Sequence, residues 1–148
     1  MSSKVWLSAI ILSLLILSNC SPSIETTTVT RVIDGDTIVI DTGQRVRYIG
    51  IDTPEIRPHL EAYSIEAWQA NSRLVAGKEV RLEKDVSEVD KYGRRLYYVY
   101  VDDIFVNAEL VRLGLAKAKA YPPDTRHQEH LEQMEIEARE SGRGMWAK

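Results

Sequence analysis

The segment from Arg31 to Glu55 places acidic residues and an arginine in a spacing that suits metal-assisted chemistry on a phosphate. Asp34 and Asp36 flank a glycine, and Asp52 opens the tetrapeptide Asp-Thr-Pro-Glu, whose proline ends any continuing strand. Arg47 lies between these two acidic groups in the sequence. Carboxylate oxygens are the ligands that calcium and magnesium prefer, and a guanidinium forms paired hydrogen bonds with phosphate oxygens. The segment is therefore the candidate active site.

Asp34, Asp36 and Asp52 are the candidate metal ligands. A hairpin turn and the end of a neighbouring strand can bring these carboxylates together in a way that sequence-adjacent acids cannot. The spacing is not that of an EF-hand, because Ile38 and Ile40 occupy positions where that loop needs ligands. Asp-Gly-Asp alone is more often a plain hairpin turn. The metal-site hypothesis therefore depends on the arginine and the second acidic group that follow.

Two arginines and a glutamate are the candidate catalytic groups. Arg47 and Arg94 would bind the phosphate, because the transition state of phosphodiester hydrolysis gains negative charge that guanidinium groups stabilise. Glu55 is placed to activate or position a water as general base. The alternatives are that Arg94 is a surface arginine in a tight turn, and that Glu55 is an ordinary loop carboxylate.

The residue pattern predicts an α+β fold in which short strands carry this site. Three β-branched segments separated by turn residues read as an antiparallel meander, Val29–Ile33, Thr37–Asp41 and Gln44–Ile49. A helix over about 60–76, two more strands and two further helices follow, over 78–85, 95–101, 107–113 and 125–140. A five-stranded barrel of the oligonucleotide-binding (OB) type with three helices suits this order.

Two details of the helices can be predicted from residue spacing. Helical periodicity places Ile65, Trp68, Ser72 and Val75 on one face of the first helix, which is therefore the expected buried face. Asn107 precedes the second helical segment and is a candidate N-cap, because an asparagine side chain accepts hydrogen bonds from the first free backbone N–H groups.

The first 19 residues are predicted to be a secretory signal. Lys4 precedes the mostly apolar run Val5–Leu17, which is shorter than the roughly 20 residues that a helix needs to span a bilayer. Cys20, the one cysteine of the chain, follows directly and resembles the lipidated cysteine of bacterial lipoproteins. We expect a protein that is secreted across the cytoplasmic membrane and lipid-anchored at the cell envelope. Asn19 departs from the small residue usual before that cysteine, so ordinary cleavage and release is the alternative.

The predicted organisation is a signal peptide over residues 1–19, a lipidated cysteine and linker over 20–28, and one domain over 29–148. Lys4 is the one charged residue of the signal, so the rest of the chain has 18 basic and 22 acidic residues and a formal charge of −4. Such a chain cannot bind nucleic acid by bulk charge. A polyanionic substrate would have to be held by local arginines and a cation.

Several motifs in one order resemble the staphylococcal nuclease (thermonuclease) family. They are Val32–Thr37, Arg47 with Ile51–Glu55, Asp90–Arg94, and Val106–Ala116. The resemblance covers nearly all of the chain from Val29 to Trp146. It implies an OB-fold, monomeric, calcium-dependent endonuclease of low sequence specificity that acts on DNA and RNA, favours single-stranded or locally melted substrates, and leaves 3′-phosphates.

The resemblance also implies a role for each candidate residue. Calcium would be bound by the carboxylates of Asp36 and Asp52 and the backbone carbonyl of Thr53, with Asp34 beside it through water. The catalytic residues would be Arg47 and Arg94, which contact the scissile phosphate, and Glu55, which acts on the attacking water. The substrate-binding residues would be Tyr92 and Tyr121.

Two departures from the family pattern affect substrate binding. Segment 115–121 is one residue shorter, so Tyr121 corresponds to only one of two tyrosines. The chain is also acidic where well-known relatives are strongly basic, which predicts weaker substrate binding. The alternatives to an enzyme are a non-catalytic OB-fold nucleic-acid-binding lipoprotein and an inert lipoprotein scaffold, and the presence of all the catalytic residue types favours the enzyme.

Overall fold

Eight strands and three α-helices make up residues 24–148, the part of the chain that the computed structural model describes. The strands are β1 (Ile24–Val32), β2 (Thr37–Ile40), β3 (Arg45–Tyr48), β4 (Ile51–Asp52), β5 (Glu79–Glu83), β6 (Arg95–Val101), β7 (Ile104–Phe105) and β8 (Lys117–Ala118). The helices are α1 (Ser64–Val75), α2 (Val106–Arg112) and α3 (Gln128–Glu140), followed by a 3-10 turn, Gly144–Trp146. The predicted signal peptide and Cys20 lie outside the described residues, so both stay predictions.

Five of these strands form a closed barrel. Strands β1, β2 and β3 are the predicted antiparallel meander, β1 also pairs with β5, and β5 pairs with β6. The barrel closes through a parallel pairing of β3 with β6, in which Val46 lies opposite Arg95 and Tyr48 opposite Tyr97. The predicted α+β fold, a five-stranded OB-type barrel with three helices, is confirmed.

The interior of the barrel is filled by alternate side chains of its strands. Val46 and Tyr48 of β3 are almost fully buried, which identifies the core face that alternation alone left open. Each such side chain contributes about 1.5–3 kcal/mol by leaving water. Arg47, between them, points to the other face and is nevertheless buried. The site therefore lies outside the barrel wall, under the segments that follow β3.

The first strand begins earlier than the sequence predicted. Residues 24–28 were expected to belong to the linker, but they pair with β5, from Ile24 opposite Glu83 to Thr28 opposite Glu79. Threonines have high β propensity and Thr27 is buried, which explains why this polar segment forms a strand. Strand β1 thus joins the two halves of the barrel.

The buried face of α1 differs from the prediction. The helix begins at Ser64 rather than near residue 60, and Ile65 and Trp68 are 40% and 37% exposed. The face that packs on the barrel instead consists of small and polar residues, Ser64, Ala67, Ala70 and Asn71, with Val75. The reason is close approach, because a Cβ on Gly35 would lie 2.8 Å from the Cβ of Ala67.

Asn107 is not an N-cap, contrary to the prediction. It lies inside α2 and is fully buried, where its Oδ1 accepts from the Val99 N–H at 3.0 Å and its Nδ2 donates to the Ile49 carbonyl at 2.8 Å. Since a buried amide needs such partners, Asn107 ties α2 to β6 and to the end of β3.

The short ribbon formed by β4 and β8 was not predicted. Ile51 pairs with Ala118, and Asp52 pairs with Lys117, in an antiparallel arrangement. This pairing places the segment that follows α2 beside the Asp-Thr-Pro-Glu motif. Within residues 24–148, no helix has the length and apolar content needed to cross a membrane.

Candidate active site

Arg47 joins the two acidic groups of the candidate site. Its Nη2 lies 3.1 Å from Asp36 Oδ2 and 3.3 Å from Asp52 Oδ1. Its Nη1 donates to the carbonyls of Tyr48 at 2.7 Å and Ile51 at 2.9 Å. These contacts hold the guanidinium between the end of β3 and β4. The spacing in sequence therefore does correspond to proximity in space for the arginine and two of the aspartates.

Asp36 is a buried carboxylate whose environment opposes its charge. It is 4% exposed, and burial raises its pKa to about 6, with a further increase from Asp34, although Arg47 opposes this. Asp36 Oδ2 accepts from both the backbone N–H and the hydroxyl of Thr53, each at 3.0 Å. Thr53 is thereby held against Asp36.

Asp34 bonds to its own hairpin. Its Oδ1 accepts from the Asp36 N–H at 3.1 Å, and its carbonyl accepts from Asn71 Nδ2 at 3.0 Å. Across residues 24–148, no group of three or more histidine, cysteine, aspartate or glutamate side chains is arranged to hold a metal ion. Of the three predicted aspartates, Asp36 and Asp52 both contact Arg47. Asp34 instead forms a hydrogen bond within the turn that positions Asp36.

Glu55 lies at the exposed edge of this group. Desolvation, and then the negative charges of Asp36 and Asp52, raise its pKa, while Arg47 opposes the shift. The backbone N–H of Glu55 donates to Glu61 Oε2 at 2.8 Å, and the Glu61 N–H donates back to the Glu55 carbonyl at 3.0 Å. This reciprocal pair closes the loop after Asp-Thr-Pro-Glu and fixes the backbone that carries Glu55.

Arg94 comes from the turn before β6 and is held by Asp90. Its Nε donates to Asp90 Oδ2 at 2.6 Å, while Asp90 Oδ1 accepts from the N–H groups of Tyr92 and Arg94 at 2.9 and 3.0 Å. Burial pushes the pKa of Asp90 upward, but these hydrogen bonds outweigh it, so the pKa lies below its usual range. The ion pair engages Nε and leaves both Nη groups outside that contact.

Both arginines and both predicted substrate tyrosines line one cavity of about 540 Å³. Tyr92 and Tyr121 are 70% and 42% exposed, and the Arg94 guanidinium lies 5.3 Å from the Tyr92 ring centroid. Pockets of this size, with an apolar lining and a few charged groups, accept small organic ligands such as a nucleotide. Asp52 lines a separate cleft of about 330 Å³ together with Thr53. Arg47 therefore lies between the cavity and the carboxylates.

Lys119 is a component of the site that the sequence did not indicate. Its Nζ lies 2.9 Å from Asp52 Oδ2, and this hydrogen bond is the main cause that raises the pKa of Lys119, so that the ammonium stays charged. The ammonium also lies 5.3 Å from the centroid of the Tyr121 ring. Glu61 and Asp90 were missed as positioning groups too, because each acts through a contact that residue spacing does not reveal.

The donor set fits a hard divalent cation. Asp36 Oδ2 and Asp52 Oδ1 lie 3.1 and 3.3 Å from Arg47 Nη2, so the guanidinium holds the two carboxylates close together. Asp36 is buried, and desolvation, followed by the charges of Asp36 and Asp52, raises the pKa of the nearby Glu55, so a bound cation would relieve repulsion among these carboxylates. An all-oxygen donor set is what calcium and magnesium prefer.

Comparison with known proteins agrees with this geometry. The family model described as staphylococcal nuclease homologue matches residues 45–148. A thermonuclease of Staphylococcus hyicus is 40% identical over 137 residues, which cover 88% of this chain and 80% of that protein. A thermonuclease of Staphylococcus intermedius is 41% identical over 128 residues (82% and 76%), and endonuclease YncB of Bacillus subtilis is 40% identical over 129 residues (82% and 61%). Similarity of this extent, together with the closed barrel, shows that the chain belongs to the staphylococcal nuclease family.

Proposed function

We propose that the protein is a calcium-dependent endonuclease that hydrolyses phosphodiester bonds of DNA and RNA with low sequence specificity and leaves 3′-phosphates. The observation that carries this proposal is the position of Arg47, which contacts the carboxylates of Asp36 and Asp52 and lines the same cavity as Arg94. The names of the similar proteins, thermonuclease and endonuclease, support the same activity.

In this proposal the metal site is built from acidic residues of the hairpin and of β4. The carboxylates of Asp36 and Asp52 and the backbone carbonyl of Thr53 would hold calcium, with Asp34 contributing through water. Bound calcium would withdraw electron density from the scissile phosphate. Both carboxylates must be ionised for this, and at Asp36 the charge of Arg47 opposes the rise in pKa that burial causes.

The arginines supply the transition-state stabilisation. As water adds to phosphorus, negative charge accumulates on the phosphate oxygens, and fixed guanidinium groups stabilise that charge without reorganising. Arg47 is held by two backbone carbonyls, and Arg94 by Asp90 through Nε. Each arginine is therefore oriented before the substrate binds.

Glu55 is the proposed general base. It takes a proton from water, the water oxygen bonds to phosphorus, and the bond from phosphorus to the 5′ oxygen breaks, which leaves a 3′-phosphate and a 5′-hydroxyl once that oxygen gains a proton. A carboxylate with a raised pKa is a better base than an ordinary one. The raised pKa of Glu55, caused by desolvation and by Asp36 and Asp52, suits this role.

The cavity between Tyr92 and Tyr121 is the proposed nucleoside site. Stacking on aromatic rings is tolerant of base identity, which accounts for low sequence specificity. It also requires unpaired bases, so single-stranded or locally melted nucleic acid is the favoured substrate. With a formal net charge of −3 for the whole chain, affinity rests on local cations.

The activity can be tested on the purified chain with single-stranded DNA and with RNA, in calcium and in a chelator. We expect cleavage of both at many positions in calcium, none in the chelator, and 3′-phosphate ends by mass spectrometry. Cleavage that persists in the chelator would contradict the metal requirement, and binding without cleavage would identify a non-catalytic nucleic-acid-binding lipoprotein. Unchanged activity in the Glu55→Ala, Arg94→Ala double variant would contradict the assigned site.

We also propose that the protein acts outside the cytoplasmic membrane as a lipid-anchored monomer. The proposal rests on the predicted signal over residues 1–19 and on Cys20 directly after it. Cys20→Ser should move the protein from the membrane fraction to the soluble fraction. An unchanged distribution would contradict lipidation, and sedimentation of the soluble variant as a dimer would contradict the monomeric state.

A further inference from the structure

The carboxylate of Asp52 contacts two positively charged side chains of the chain itself. Its Oδ1 lies 3.3 Å from Arg47 Nη2, and its Oδ2 lies 2.9 Å from Lys119 Nζ. The arginine is buried and shared with Asp36, whereas the lysine side chain is half exposed and belongs to a different part of the fold. The two contacts to Asp52 therefore come from different elements, one from β3 and one from the residue after β8.

The position of Lys119 is fixed by backbone pairing. It directly follows β8, and its N–H donates to the carbonyl of Gly50 at 2.9 Å, which extends the pairing with β4 by one residue. The ammonium of Lys119 reaches Asp52, whereas the ammonium of Lys117 lies 6.0 Å from the centroid of the Trp146 ring. The contact with Asp52 is thus specific to one of two neighbouring lysines.

We propose that Lys119 sets the affinity of the site for its divalent cation, because its ammonium competes with the cation for the Asp52 carboxylate. This inference rests on the calcium site of the proposed function. A cation that binds Asp52 must either displace the ammonium from Oδ2 or remain close to a like charge. Both cost free energy, so calcium binds more weakly than it would without the lysine.

The size of the effect follows from Coulomb's law. A divalent ion and an ammonium beside one carboxylate repel strongly enough, even at the dielectric constant of water, to change a dissociation constant by about tenfold. The Lys119 and Asp52 side chains are 50% and 35% exposed, so solvent and salt screen the repulsion. We therefore expect removal of the charge to tighten calcium binding by about tenfold.

Isothermal titration of the purified full chain with calcium chloride tests this inference. Lys119→Met removes the charge and keeps the aliphatic stem, so its calcium dissociation constant should fall by about tenfold relative to the unaltered chain. Lys119→Arg keeps the charge and should bind calcium as the unaltered chain does. Lys117→Met is the matched control, since it removes the same charge two residues earlier from an ammonium that lies by Trp146 and forms no ion pair with Asp52, and its constant should change by less than about twofold.

The outcomes separate this inference from the proposed function. If the unaltered chain binds calcium and cleaves DNA but Lys119→Met and Lys117→Met bind calcium equally well, the role of Lys119 is wrong and the proposed function stands. Weaker calcium binding by Lys119→Met would also overturn it, since the lysine would then support the site. If neither the unaltered chain nor Lys119→Met binds calcium, both proposals are wrong.

Discussion

Arg47 shows how much of the site depends on the geometry of one side chain. Its two Nη groups contact two carbonyls and two carboxylates, an arrangement that a planar guanidinium can satisfy and a single ammonium cannot. The residue is buried between core residues on the same strand, so its orientation is set before any substrate binds.

Arg47→Lys should therefore lower kcat by about a hundredfold, because the charge remains but the paired donors are lost. Arg45→Lys is the matched control, since Arg45 is exposed on the same strand and should be nearly neutral. Cleavage kinetics on a single-stranded oligonucleotide in calcium, with circular dichroism to check folding, measures the effect. Equal activity of the two variants would show that positive charge alone is sufficient at position 47.

Glu61 is a positioning residue for the proposed base. Its carboxylate accepts from the Glu55 N–H, so Glu61→Ala should lower kcat by about threefold to tenfold with little change in KM, because the backbone at Glu55 loses an anchor. Glu61→Gln retains an oxygen acceptor and should recover most of the rate. The exposed Glu66 of α1 supplies the control, Glu66→Ala. A loss in Glu61→Gln as large as in Glu61→Ala would point to charge rather than to the hydrogen bond.

The elements of the fold explain which sequence predictions succeeded. Strands β3 and β6 contain several β-branched and aromatic residues, and both segments form strands in the structure as predicted. The prediction of the buried face of α1 was wrong because large apolar residues normally mark the buried side. In this helix Ile65 and Trp68 are partly exposed, and Ala67 is buried instead. The small residues are required by the contact with Gly35, a partner about thirty positions away that no local pattern reveals.

The packing of α3 on the barrel depends on a charged group at the end of β5. Glu83 is 8% exposed, and its Oε1 lies 3.0 Å from both Arg126 Nη1 and His127 Nε2. Burial pushes the pKa of Glu83 upward, but the hydrogen bonds with His127 and Arg126 outweigh it and lower the pKa below its ordinary value of 4.5. The ionised carboxylate therefore stabilises the folded state above that pH.

Glu83→Gln should lower the free energy of unfolding by about 1–2 kcal/mol at neutral pH. Because the folded-state pKa is depressed, this contribution is complete above the unfolded value near 4.5 and is lost as the pH falls through the folded value. The difference between the two proteins should accordingly shrink below about pH 4.5. Urea denaturation across this range, with the exposed Glu79→Gln as control, measures it. A difference that is constant with pH would assign the effect to packing.

The whole molecule combines a negative net charge with three cationic side chains that line one cavity. The chain carries a formal net charge of −3, yet Arg47, Arg94 and Lys91 all line the same 540 Å³ cavity. Composition was sufficient to predict that bulk charge would not attract nucleic acid. It could not identify Lys119 as part of the site, because that contact depends on two-residue strands that are too short to leave a periodic pattern.

Binding of a single-stranded oligonucleotide should therefore depend only weakly on salt. Two arginine contacts predict a slope of log K against log salt of about −1.4, and Arg94→Ala should reduce it to about −0.7. Fluorescence anisotropy in a chelator, which prevents cleavage, measures the slope, and Arg45→Ala serves as control. A slope steeper than about −3 would indicate a wider basic surface than the cavity provides.

The parallel pairing of β3 with β6 also determines when the site can exist. Val46 lies opposite Arg95, which is 49 residues later in the chain. Strand β3, which carries Arg47, therefore cannot form this pairing until β6 has been synthesised. Pairings this distant in sequence form late in folding, since the loop must close before the contact is made. A growing chain that ends before Asp90 already contains every predicted metal ligand and Glu55 but lacks both Arg94 and the strand that closes the barrel. Hydrolytic activity would therefore appear only after β6 has been synthesised and has paired with β3.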